Sequence, residues 1–303
     1  MKFLLLPENG SSWREPLVYS FELDEATDVV QIEIRGIVRG FDIARFNLYG
    51  VSKGEVDIAP YLKEIADVSP RNDAMGLYLS NTSFSVVVIV NGVASEVRTF
   101  HRERIDSSVK GVLTKQEPNS KIGEGETIRM TIYAQRSVTV VVRRQASEQY
   151  ISPFSISAVG IPVEFIYPVF SDDDGLVSID VDISCDTEQR KTYIYKYVPR
   201  DTPSQQVVWY DKKGAVQSYV FPQVKRRVCE AILSGDMVVG REHTWVLTSA
   251  YESPEELERI RGVVFADRVY FNVGGRCVEV EMLTRTISEE SRTLQIVVKT
   301  KEF

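Results

Sequence analysis

Phe84-Ser85-Val86-Val87-Val88-Ile89-Val90-Asn91-Gly92-Val93 decides the fold. An apolar, β-branched run ends in Asn91-Gly92, and a second run continues from Val93 to Phe100. Asn-Gly is the pair preferred by a type I′ hairpin turn, where both central residues need positive φ. The segment therefore predicts two antiparallel strands. Working outward, the same period-two signal recurs: Leu17–Phe21, Val29–Ile34 and Arg45–Tyr49 read as strands separated by polar breaks. Between them, Glu55–Ile65 predicts a short helical crossover, with Asp57 capping, Pro60 in the opening turn, and Tyr61, Leu62 and Ile65 facing the sheet.

Further along, Thr127–Tyr133 and Val138–Val142 predict a second hairpin-like pair, followed by strands at Phe154–Val159, Val163–Tyr167 and Val177–Ile183. Tyr193–Tyr197 is another, and Val207–Tyr210 leads through Asp211–Gly214 into a hairpin returning by Val216, Tyr219 and Phe221. One helix stands out, Ser253–Ile260: Ser253 is its N-cap, Pro254 its first residue, and Glu255 and Glu256 sit at the positive end of its dipole. Val269–Val273 and Cys277–Leu283, joined at Gly274-Gly275, and then Leu294–Val298 return to strands.

Many short strands with one or two short helices predict an all-β chain of two antiparallel β-sandwich-like domains. The polar stretch 115–125, with Pro118, Gly123 and Gly125, places the boundary: residues 1–118 form one domain and 119–303 the other, with a sub-module after about residue 200. The absence of βαβ alternation excludes Rossmann, P-loop and TIM-barrel chemistry.

The 303 residues carry a net charge of −7 and are 43% hydrophobic and 26% charged, which suits packed cores and excludes wholesale disorder. The acidic balance argues against nucleic acid as partner. The opening Met1–Leu6 is cut by Pro7, too short for a signal-peptide core, and reads as a strand. No run approaches a membrane span. Synthesis without export and no membrane insertion are therefore expected. Cys185, Cys229 and Cys277, odd in number and widely spaced, are expected as buried free thiols.

The catalytic inventory is thin. His101 and His243 have no His or Cys at metal-ligand spacing and are expected at the surface or at strand ends; a Cys–His or Ser–His pair would need spatial assembly. Asp172-Asp173-Asp174-Gly175 offers three carboxylates to a hard cation, yet Asp and Gly are also what a tight turn selects. Asp180 and Asp182 share one strand face, expected to be solvated, and a glycosidase-like carboxylate pair has no sequence signal. No enzyme, cofactor or metal is expected. The aromatic segment is more informative: Tyr193, Tyr195 and Tyr197 share a strand face, followed by Trp209, Tyr210, Tyr219 and Phe221. Exposed, this set is a candidate surface for protein or sugar; buried, it is cross-strand packing. Lys225-Arg226-Arg227 reads as a solvated strand end.

The segment Trp209–Phe221 resembles the Trp…Gly…Phe hairpin of phage and prophage structural proteins from Bacteroidetes, which often run Trp-Leu-Asn-Arg-x-Gly-Gly-Trp-Asp-Tyr-x-x-Phe. Val56–Leu62 is similar to their Ile-Asp-Ile-Ser-Pro-Tyr-Leu element. Thr244–Leu247, the Pro254–Ile260 helix and Asp267–Tyr270 follow their strand, acidic helix and Val-Tyr order. The chain departs at Tyr210-Asp211, where the family has Leu-Asn, and at Ala215-Val216, where it has Gly-Trp. The resemblance implies a tail-associated virion protein, made in the bacterial cytoplasm and partnered with copies of itself and other virion proteins. It carries over no functional residue. A carbohydrate-binding or adhesion module, using the aromatic face on a glycan, is the alternative.

Overall fold

The computed structural model describes the chain except residues 38–40, 67–69, 71–74, 81–82, 103–110, 116–119, 124, 145–149, 158–159, 170–178, 186–188, 198–204, 212–213, 235–236, 274–275, 285–291 and 303. The protein is all-β, built of antiparallel, sandwich-like sheets, with two short α-helices among the described residues. Its apolar side chains gather in three large clusters that follow one another along the chain.

The first cluster is organised by β1 (Lys2–Leu5), β2 (Val18–Gly36), β3 (Asp42–Asp57) and α1 (Ala59–Ile65). After them come β4 (Gly76–Leu79), β5 (Ser83–Val90), β6 (Val93–Ala94) and β7 (Arg98–His101). Apart from β4, these strands form one six-stranded sheet with β2 at its centre. The two strands expected at Leu17–Phe21 and Val29–Ile34 are halves of the single strand β2. Tyr19, Phe21 and Leu23 are buried in its first half, and Val30, Ile32 and Ile34 in its second. The buried positions thus change from odd to even across the exposed stretch Asp24–Val29. There the register with β3 slips: Glu22 faces Lys53, but Thr27 faces Val51. Extra residues on one strand reverse which side chains point inward. What the sequence shows as a polar break is the bulge that lets one ribbon wrap a common core.

Other local readings hold. Asn91 has φ 47° and Gly92 φ 81°, the type I′ turn expected, and Val90 faces Val93 across it. The Asp57 carboxylate accepts from the backbone N–H of Leu17 at 2.8 Å and of Ala59 at 3.0 Å, tying α1 to the start of β2. Leu62 is fully buried, and Tyr61 stacks on Phe46 with ring centroids 5.6 Å apart.

One close approach in this sheet is unforgiving. Gly54 lies opposite Phe21, whose buried ring covers it; a β-carbon at residue 54 would sit 2.5 Å from Phe21 Cζ. Gly54→Ala is expected to destabilise this module by about 1–3 kcal/mol, as overpacking does in a filled core. Urea unfolding measures it; a G54A chain as stable as the parent would show that the Phe21 ring shifts without cost.

The second cluster lies between two sheets formed with β8 (Gly111–Val112), β9 (Ser120–Ile122), β10 (Thr127–Tyr133) and β11 (Ser137–Arg144). Then follow β12 (Tyr150–Ser157), β13 (Val163–Pro168), β14 (Ile179–Cys185) and β15 (Gln189–Tyr197). One sheet runs β4-β13-β10-β8, the other β12-β11-β14-β15-β9. Met130 and Phe165 from the first meet Val140 and Ile183 from the second, the packing of a sandwich. The expected hairpin of β10 with β11 does not form: β10 pairs with β13 and β8, while β11 pairs with β12 and β14 in the opposite sheet. The reason is burial on both faces. Every residue of β10 is buried; Ile128, Met130 and Ile132 enter the core, while Thr127 and Thr131 bond residues of the next module. Two features bear on the stretch 115–125: β9 within it pairs in parallel with β15, and β4 and β8, both before residue 118, are bonded into this sandwich.

The third cluster belongs to β16 (Gln206–Tyr210), β17 (Val216–Val220), β18 (Gln223–Ser234) and β19 (Met237–Thr248). It is completed by α2 (Pro254–Arg261), a 3-10 turn at Gly262–Phe265, β20 (Val269–Val273), β21 (Arg276–Met282) and β22 (Gln295–Glu302). The seven strands order as β17-β16-β20-β21-β22-β19-β18, and α2 covers the sheet through Leu257 and Ile260. Ser253 caps α2 as expected, accepting from Glu256 N–H at 3.1 Å. The β16–β17 hairpin is held by Asp211, whose carboxylate accepts from Ala215 N–H at 3.0 Å, with Gly214 at φ 77°. The Gly274-Gly275 turn lies outside the described residues, though Val273 and Arg276 on either side of it pair.

Polar contacts join the modules. Gln206 and Thr127 exchange two hydrogen bonds, at 2.9 and 3.2 Å, and Thr131 Oγ1 accepts from Val216 N–H at 2.9 Å. Asp267 receives the guanidinium groups of Arg14 and buried Arg102 from the first module.

Candidate interaction surface

The aromatic set expected as a surface is largely core. Tyr193 and Tyr195 alternate inward from β15 into the sandwich, leaving Ile194 and Lys196 outward. Trp209 and Phe221 are buried under α2, and Tyr210 is buried with Val208, Val216 and Tyr270. Tyr219 is half-buried, edge-on to Phe221 at 4.9 Å, with its hydroxyl donating to Glu252 and accepting from Ala250 N–H. The side chain of Tyr197 lies outside the described residues. An exposed aromatic face is thereby corrected: period two gives a strand two faces, and here the larger apolar one is covered by the opposite sheet or by α2. Burial raises the pKa of the Tyr210 hydroxyl well above normal, reinforced by the Glu164 carboxylate 3.5 Å away.

Both histidines are buried, not superficial. His101 Nδ1 and Ser83 Oγ lie 2.9 Å apart. A Ser–His pair does assemble in space, and neither residue is more than 5% exposed. Burial lowers the His101 pKa to about 4, leaving it neutral. His243 is buried on β19 beside Trp245.

Asp182 is likewise not on a solvated face. It is buried, with Thr192 donating at 2.6 Å and the guanidinium groups of Arg190 and Arg143 at 2.5 and 2.8 Å. Burial alone would raise its pKa, but these hydrogen bonds and cationic charges prevail and lower it. Asp172-Asp173-Asp174 lies outside the described residues. Cys185 is buried as expected, Cys277 is half-buried, and Cys229 is exposed on an edge strand. An open groove of about 460 Å³ separates β15 from the start of α2; within it Arg259 pairs with Glu256, and Lys191 lies over the Tyr193 ring.

Sequence reading missed two long ribbons. In the first, β3 bonds only to β2 among the described residues, which leaves its outer edge without a strand partner there. Val29 and Tyr49, cross-strand partners, are 46% and 69% exposed, next to Glu25 and Asp28. In the second, β18 is the last strand of its sheet and, among the described residues, bonds only to β19. Lys225, Arg226 and Arg227 lie exposed along it, and near the tip Leu233, Met237 and Val238 are 61%, 70% and 64% exposed. The signal that could have found this arm is the apolar content of Val228–Val239 without the burial partners of a core strand. Such edges with apolar residues are templates for pairing with another chain.

Among the described residues, no helix is long and apolar enough to cross a membrane. No family model and no curated protein matches this chain. Among solved structures, a chain from the complex of Dpr2 Ig1-Ig2 with DIP-Theta Ig1-Ig3 is 9% identical; the alignment covers 100% of this chain and 90% of that one, with a TM-score of 0.18. The chicken CNTN1 FN1-FN3 domains are 7% identical over 99% of this chain and 86% of theirs, also at a TM-score of 0.18. At such TM-scores the likeness decides nothing about function.

Proposed function

We propose that this protein is a structural or assembly component of a phage or prophage particle, tail-associated, which works by binding copies of itself and other virion proteins. The observation that carries association is the pair of ribbons whose outer strands have no second strand partner among the described residues, each with exposed apolar side chains. The virion setting rests on the resemblance of Val56–Leu62, Trp209–Phe221 and Thr244–Tyr270 to phage structural proteins. In this reading the buried Trp209 hairpin shapes the third module and the edges make the contacts. The glycan alternative drew on an exposed tyrosine row, and Tyr193 and Tyr195 are in the core.

Sedimentation velocity of the full chain across concentrations tests association. Its mass is expected to rise above that of one chain as concentration increases. A particle of monomer mass at every concentration, with no binding to co-expressed products of neighbouring genes, would overturn the reading.

A further inference from the structure

His101 stands where the first module meets the other two. Phe100 turns into the core of the first sheet, so His101, one residue on, points out of that sheet. There its ring lies edge-on to Tyr133 of β10, with centroids 6.1 Å apart, and beside Ser83, its cross-strand partner. The next residue, buried Arg102, reaches Asp267 of the third module, where Arg14 also arrives. Two consecutive residues thus touch both other modules.

The junction is thin. Among the described residues, no buried apolar cluster crosses from the first module into the second or third. No strand of the first sheet packs at length against either of them, whereas β10 lies along β17. A cavity of about 20 Å³, room for one water, lies between Ser83 and Ser85 on one side and Leu79, Ser80 and Ile161 on the other. A small polar contact of this kind permits relative motion of the modules. Around the ring, β5 contributes Ser83, and β10 contributes Tyr133 with Arg129 further along the same face. β7 itself carries Arg98 and leads into Arg102, and the segment beside it carries Glu8, Arg14 and Glu15. Asp267 is engaged by two guanidinium groups.

We propose that His101 is an acid-sensitive latch, whose protonation separates the first module from the other two while all three stay folded. The latch acts within one chain and is independent of self-association. Its sign follows from the two environments of the ring. In the closed junction burial lowers the His101 pKa to about 4, against an ordinary 6.5 for a ring in water. Closure is thus fully favoured above pH 6.5. Each unit below shifts the balance toward the open form by up to tenfold, to roughly 300-fold at most. Opening gives up the Tyr133 contact and the pairs to Asp267, whereas unfolding the first module gives up its whole core.

Small-angle X-ray scattering of the full chain, extrapolated to zero concentration, reads the separation, and far-UV circular dichroism reads folding. Between pH 7.5 and pH 4.5 the radius of gyration is expected to rise by about a tenth or more, because separated modules no longer share one compact volume. The dichroism spectrum should not change. His101→Gln keeps a hydrogen-bonding group beside Ser83 but binds no proton, and should stay compact at pH 4.5. An unchanged radius in the parent, an equal expansion in H101Q, or an expansion accompanied by loss of dichroism overturns the proposal. If H101Q does not fold, the His101 ring protons followed by NMR in the parent decide. Their titration must share the midpoint of the expansion, and two separate midpoints also overturn the latch.

Discussion

Replacing Trp209 with Ala is expected to cost the third module about 3–5 kcal/mol, the usual range for removing a large buried aromatic. The indole is fully buried among Phe221, Leu257 and Ile260, and the Arg259 guanidinium lies over the ring at 5.9 Å. Gly262, the α2 C-cap, sits so that a β-carbon there would be 3.6 Å from the indole Nε1. Truncation would thus leave a cavity between sheet and helix and remove the stacking partner that helps to seat α2. Urea unfolding followed by tryptophan fluorescence and far-UV circular dichroism should show an early transition for residues after about 200. A W209A chain of parental stability that no longer associates would place the ring in a contact between molecules instead.

The second large effect is loss of stability in acid. His101 is neutral in the folded chain because burial holds its pKa down to about 4, against an ordinary value of 6.5. Between those values the unfolded chain binds the proton and the folded chain does not. The stability of the first module is therefore complete above pH 6.5 and falls as the pH drops toward 4. The loss over that window is about 3 kcal/mol at most, from roughly 1.4 kcal/mol for each pH unit. His101→Gln removes the titration and should flatten the slope of stability against pH between 6.5 and 4, whatever it does to stability at pH 8. A parental slope in H101Q would assign the acid sensitivity to other groups.

The fold was legible wherever one local rule sufficed. Asn91-Gly92 demanded positive φ and Ser253-Pro254 opened a helix; these depend on residues a few positions apart and hold whatever surrounds them, whereas Asp57 lies one residue before the Ile58 N-cap of α1 and bonds the Ala59 and Leu17 N–H groups instead. The interaction surface was much less legible. Tyr193 and Tyr195 offered a docking face, because alternation reports that a strand has an apolar side without naming what covers it, and the β18–β19 arm around Val228–Val239 went unread.

By itself, the sequence determined the all-β class, the hairpin turns and the short helices, through backbone preferences and period-two patterning. Only the tertiary structure decided that β10 and β11 part into opposite sheets, that one bulge turns β2 inside out, and that the aromatics are covered while two ribbons are not. The physical reason is that strand pairing and face burial are set by contacts between residues far apart in the chain. A period of two leaves partner and register open until those contacts form.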